Sequence, residues 1–187
     1  MSNRTKLSHL FRESTDASGV RLVAKTLAQT AAFWLLFLAA LPVSLIAVER
    51  ALEIPAFHLP HQASIGWAIF AIAGSVGISS GLTMALIGRG TPLPLDCPPR
   101  LVVAGPYRFV RNPMAMAGLT QGAAIGLALG SVLIEAYVIA GALIWNYTAR
   151  PMEEADLEQR FGAPYLHYRD AVRCWLPRWT RYVPPSS

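Results

Sequence analysis

Three stretches of this chain are long enough to cross a lipid bilayer and carry almost no charge, and few folds are compatible with that. Residues 26–48 and 63–87 contain no Asp, Glu, Lys or Arg, and residues 113–149 contain only Glu135. At about 1.5 Å per helical residue, each of the first two reaches across the ~30 Å of a hydrocarbon core. Inside that core every backbone polar group must be bonded within the protein, so the runs predict α-helices. Only 14% of the 187 residues are charged and 53% are hydrophobic, whereas soluble domains carry about 25% charged residues. The composition therefore predicts a single integral membrane domain of the all-α class.

The run 113–149 is about twice the length of one crossing. Gly130-Ser131 near its middle offers a tight turn, so a helical hairpin is expected, with arms 113–130 and 131–149. Four crossings result: 26–48, 63–87 and the two arms. Pro42 is expected to kink the first. Gly74, Gly77 and Gly81, with Ser75, Ser79 and Ser80, give the second a small-residue face suited to close packing, within the chain or between copies. Residues 1–25 are polar and read as a separate segment. Within it, 8–25 suit an interfacial helix with Leu10, Phe11, Val20, Leu22 and Val23 toward lipid, disorder being the alternative for the first few residues. No stretch has the layout of a cleavable signal peptide.

Basic residues set the expected orientation. Arg4, Lys6, Arg12, Arg21 and Lys25 precede the first crossing, and Arg89, Arg100, Arg108 and Arg111 lie in 88–112. The tail carries Arg150, Arg160, Arg169, Arg173, Arg178 and Arg181, whereas 49–62 holds only Arg50 and the hairpin turn none. The positive-inside rule puts both termini and 88–112 in the cytoplasm, as in a bacterial inner membrane. The net charge of +5 then reads as loop charge and headgroup contact, not as a nucleic-acid surface. Cys97 and Cys174 have neither disulfide-framework nor zinc spacing. No metal site is expected.

Polar chemistry concentrates at the cytoplasmic ends of the hairpin. Residues 105–118 read GPYRFVRNPMAMAG, and residues 150–154 read RPMEE at the other end of the same run. Carboxylates Glu153 and Glu154 suit an ammonium group, and the arginines a carboxylate or phosphate. Tyr107 suits stacking on a base or a cationic centre. Pro113 starts a helix well. After the hairpin, a helix is expected to run on to Phe161 and stop at Gly162. Another opens near Pro164, with Tyr165, Tyr168 and Val172 on one side, and Trp175, Trp179 and Tyr182 read as an interface belt. Glu135, close to the turn, is expected to reach water on the far face. The methionines read as packing.

Residues 89–96, RGTPLPLD, and 99–113, PRLVVAGPYRFVRNP, resemble the isoprenylcysteine carboxyl methyltransferase and phospholipid methyltransferase superfamily. Glu153-Glu154 followed by Arg160-Phe-Gly162, Tyr165, Tyr168 and Pro177-Arg178 resemble it too. The two blocks keep the superfamily's order and hairpin length, over roughly residues 63–180. The resemblance implies a membrane enzyme that uses S-adenosyl-L-methionine, held by 88–112 and 150–180. It implies cofactor contacts from Arg100, Leu101, Val102, Tyr107, Asn112, Pro113 and Met114, and from Glu153 with its neighbour Glu154. Arg111, Asn112 and Glu153 become the expected catalytic group, and Arg150 a substrate contact. The acceptor is a lipophilic small molecule or a lipid-anchored group: a prenylcysteine carboxylate, a phospholipid amine, a small thiol or a quinone-like phenol.

This chain departs from the superfamily pattern at three places. Asn112 stands where His is frequent, Ala115 where an aromatic is usual, and Ala117 where Gly often follows. Asn keeps hydrogen-bonding capacity but does not titrate near neutral pH. With His167 read as a surface residue and His58 and His61 on the opposite face, catalysis is expected to rest on positioning and water exclusion. Two other readings stay open: an NADPH-dependent membrane reductase with a similar C-terminal block, and a non-catalytic membrane scaffold.

Overall fold

A computed structural model describes residues 18–92 and 97–185. Among these the regular structure is helical, and three helices are long and apolar enough to cross a membrane: Gly19–Ala51, Gln62–Gly88 and Val132–Phe161. Pro113–Leu129 is a fourth apolar helix, shorter than the others at 17 residues, or about 26 Å.

The first long helix comprises α1 (Gly19–Phe33), a π-helical stretch (Trp34–Ala40) and α2 (Leu41–Ala51). Pro42 lacks the N–H that an α-helix would offer to the carbonyl four residues back. The helix widens to π geometry just before it, where the N–H of Leu41 donates to the carbonyl of Leu36. The expected disturbance at Pro42 is therefore a π segment inside a continuous helix. The expected boundary at residue 25 is absent. Residues 8–17 lie outside the described residues, but from Gly19 the chain is already part of the long helix. Leu22, expected toward lipid, is fully buried, as is Thr26 one turn on. Thr26 packs against Gly81, so this face of α1 seals the bundle.

Helix α3 (Gln62–Thr83) continues as a π turn, Met84–Gly88, and packs mainly on α4 (Pro113–Leu129). Its small-residue face serves this internal contact. A Cβ at Gly66 would lie 2.6 Å from the carbonyl oxygen of Ala124 and 2.7 Å from Cβ of Ala128, so only glycine permits the approach. Gly77 faces Ala117 less tightly, a Cβ there lying 3.3 Å from that of Ala117.

The chain reverses at Gly130, in the left-handed region with φ +67. A side chain there would lie 2.2 Å from the carbonyl oxygen of Phe57. Ser131 then caps α5 (Val132–Ile144), its Oγ accepting from the N–H of Ile134 at 3.1 Å. Behind the cap stands Glu49, the buried carboxylate at the end of α2. It accepts from Ser131 Oγ at 2.9 Å and from the N–H of Leu133 at 2.8 Å. A carboxylate at a helix N-terminus meets both the free N–H groups and the positive end of the dipole. The sequence placed Glu49 in a loop, because its partners lie more than eighty positions away.

From Val132 the helix is continuous through a π turn (Trp145–Ala149) into α6 (Arg150–Phe161). Its apolar part ends at Ala149, so α6 stands beyond the membrane core. Gly162 (φ +54) ends it, and α7 (Ala163–Ala171) follows. Tyr165, Tyr168 and Val172 are buried together with Tyr182, and Leu101, Val103, Leu157 and Phe161 pack around them. Tyr182 is thus a core residue, not part of a belt, because its ring lies 5.4 Å from that of Tyr168. Trp175 is also drawn inward, 5.1 Å from Trp145, and only Trp179 stays fully exposed.

Replacing Glu49 by Ala strips the cap of α5 and leaves buried donors unmatched, a loss of roughly 1–3 kcal/mol. Thermal unfolding in detergent is expected several degrees lower for E49A, with most of the loss recovered in E49Q, which keeps an acceptor oxygen.

Candidate active site

Asn112 is the N-cap of α4. Its Oδ1 accepts from the N–H of Ala115 at 3.0 Å, and Pro113 occupies the first helical position. That cap fixes the side chain and aims its amide outward. Nδ2 donates to Glu153 Oε2 at 3.2 Å, across the two ends of the hairpin. The neighbouring Arg111 reaches the next carboxylate, Nη1 lying 2.8 Å from Glu154 Oε1 and 3.3 Å from the hydroxyl of Tyr165. The entrance of α4 and the start of α6 therefore share one face.

The two glutamates are treated very differently. Glu154 Oε1 receives both Arg111 and Arg150 Nε, the latter at 2.9 Å. Arg150 also donates through Nη1 to Asn146 Oδ1 at 2.8 Å, and that oxygen accepts from Trp175 Nε1 at 2.9 Å. Glu154 is thus neutralised and locked in place. Glu153 has only the uncharged amide of Asn112 among the described residues. Burial first, and then the charge of Glu154, push its carboxyl up to about 7. The Asn112 amide acts against that shift, and the balance leaves a carboxylate without a cation.

Tyr107 forms the floor. It is 6% exposed, on the short 3₁₀ turn Gly105–Arg108, and its carbonyl accepts from the hydroxyl of Tyr168 at 2.6 Å. Burial, then Tyr168 and Glu153, push its hydroxyl up. The same burial raises the Cys97 thiol to about 11, so it stays protonated. The segment carrying Cys97 is tied to α6 by Arg160, which donates to the carbonyl of Pro98.

Of the residues singled out from sequence, Tyr107, Arg111, Asn112, Pro113, Arg150, Glu153 and Glu154 gather here. Val102 is buried against Gly88, and Leu101 packs on the tail core. Arg100 is exposed. The Met114 side chain points between helices, 3.6 Å from where a Cβ on Gly81 would lie. Asn146 and Trp175 were missed. Asn146 sits inside an apolar run and gives one faint signal, its position four residues before Arg150.

A family model described as phospholipid methyltransferase matches residues 63–164. The chain belongs to that family. The match begins at α3 and ends just inside α7, so it encloses both ends of the hairpin and the gathered residues. No match was found among curated proteins or among solved structures. The family, with three helices able to cross a bilayer, makes this an integral membrane methyltransferase, which favours that reading over the reductase.

The two glutamates predict opposite effects on stability. A carboxyl raised from 4.5 to about 7 favours folding below pH 4.5 and loses that contribution, on the order of 3 kcal/mol, as pH rises through 7. At pH 8, E153Q is therefore expected to unfold at a higher temperature than the parent, with the gap closing at pH 5. E154Q strands Arg111 and Arg150 and is expected to unfold lower at both pH values. Thermal scans at the two pH values check both.

Proposed function

We propose that this protein transfers a methyl group from S-adenosyl-L-methionine to a lipophilic acceptor at the cytoplasmic face of a membrane. The observation that carries the proposal is Glu153, a half-buried carboxyl at the mouth of the hairpin whose one side-chain partner among the described residues is the uncharged amide of Asn112. Such a group suits an ammonium ligand, and the methionyl part of the cofactor carries one. A fully paired carboxylate such as Glu154 does not. The donor set therefore fits this cofactor.

In this reading Glu153 binds the ammonium group, and Asn112 orients Glu153 while capping α4. Tyr107, with Val102 behind it, walls the nucleoside side. Arg111 and Arg150, anchored on Glu154, present positive charge to an acidic acceptor or to a phosphate. When bound, the cofactor supplies an electrophilic methyl on a sulfonium. The chain's own part is to hold the acceptor's nucleophile in line and to keep water out.

Among the described residues no histidine stands ready as a base. His167 is exposed on α7, and His58 and His61 are exposed on the loop that meets the Gly130 turn, at the far end of the hairpin. An acceptor that arrives ionised, a carboxylate or a thiolate, fits such a site best, because it needs no proton removed. Both termini and 88–112 face the cytoplasm in this arrangement, as the basic residues require.

Isothermal titration of the purified protein is expected to show binding of S-adenosylhomocysteine, not of NADPH. Its affinity should rise about tenfold between pH 6 and pH 8 as a carboxyl of pKa near 7 ionises. E153Q is expected to bind at least tenfold more weakly and to lose the pH slope. Radiolabelled methyl transfer into a lipid extract provides the second check. Label in no fraction, together with unchanged binding in E153Q, would overturn the assignment.

A further inference from the structure

The last described segment is laid against the entrance of α4 by backbone bonds. The N–H of Tyr182 donates to the carbonyl of Arg108 at 2.9 Å, that of Arg178 to Phe109 at 2.8 Å, and that of Arg111 to Arg173 at 3.0 Å. These pairings run in opposite directions along the chain, so residues 173–182 form a strap antiparallel to 108–111. The strap carries Arg173, Arg178 and Arg181 along the same stretch of backbone that holds Arg108. None of these four guanidinium groups enters an ion pair or hydrogen bond among the described residues. Nε of Arg108 is buried and has no partner. No Asp or Glu occurs in 97–112 or in 171–185.

Apolar groups share this surface. Phe109, Leu176, Trp179 and Val183 are exposed, Trp179 completely. The height of the strap is set by the ring contact between Trp175 and Trp145, since Trp145 belongs to the last turn of the apolar run before Arg150. The strap therefore sits where hydrocarbon gives way to headgroups. Uncompensated arginines beside exposed aromatic and aliphatic side chains at that level suit one occupant, the phosphate-bearing headgroup of an anionic lipid and the top of its chains.

We propose that the strap 173–182, together with Arg108 and Phe109, is a binding site for anionic phospholipid headgroups of the surrounding bilayer. The proposal does not depend on the methyltransfer reading, and its readout is lipid retention, not catalysis. The test uses delipidated full-length protein in neutral detergent, titrated with phosphatidylglycerol or phosphatidylcholine of the same acyl chains and read by native mass spectrometry. The native protein is expected to retain phosphatidylglycerol at least tenfold better than phosphatidylcholine. The triple variant R173Q/R178Q/R181Q, whose strap keeps its backbone bonds, is expected to lose that preference. Soluble glycerol phosphate at equal concentration should not displace the lipid. Should the variant fail to fold, the native protein alone decides, because a headgroup held by charge loses its preference at high ionic strength. Equal retention of the two lipids by native protein overturns the proposal. So does a preference that survives in the triple variant or in high salt, or displacement by glycerol phosphate.

Discussion

The reversal at Gly130 governs where every polar group at the other end of the hairpin can lie. Its left-handed backbone and missing side chain let the turn close against the carbonyl of Phe57. Ser131 and the buried carboxylate of Glu49 then satisfy the first N–H groups of α5, so the returning helix starts at a defined residue. Helix α4 is held on its other side by the glycine face of α3, where no side chain separates the backbones. In a membrane the hydrophobic effect does not press helices together, so this close packing and the capping bonds carry the association. With one end fixed, Asn112 and Glu153 arrive 3.2 Å apart at the other.

At that end, the neighbouring carboxylates divide the work. Glu154, gripped by two arginines and through Arg150 by Asn146 and Trp175, is the rigid support. Glu153, half-buried, has no cationic partner among the described residues. Burial and the neighbouring charge of Glu154 raise the Glu153 carboxyl, whereas Glu154 is offset by its two arginines.

Much of this was legible in the sequence. Uncharged runs marked the helices, because a bilayer admits little else. Gly130-Ser131 marked the turn, Pro113 the start of α4, Gly162 the end of α6, and the tyrosines of α7 the tail core. The two motif blocks marked the end of the hairpin where the polar side chains gather. The errors have a common cause. The first helix was begun too late because Arg21 and Lys25 read as a boundary, although their neighbours Leu22 and Thr26 are buried. Tyr182 was read as a lipid-facing aromatic because its partner Tyr168 is fourteen residues away.

The sequence alone specifies a helical membrane protein and where its helices turn, since those follow from local hydropathy and backbone preference. It also placed two glutamates and a set of arginines near one membrane face. The folded arrangement alone decided which glutamate is ion-paired and which has no cationic partner among the described residues. It alone made Glu49 a cap and Asn146 a support, and laid the strap beside Arg108. Those outcomes depend on contacts between residues distant in sequence, in a low-dielectric setting where a single partner decides the state of a charge.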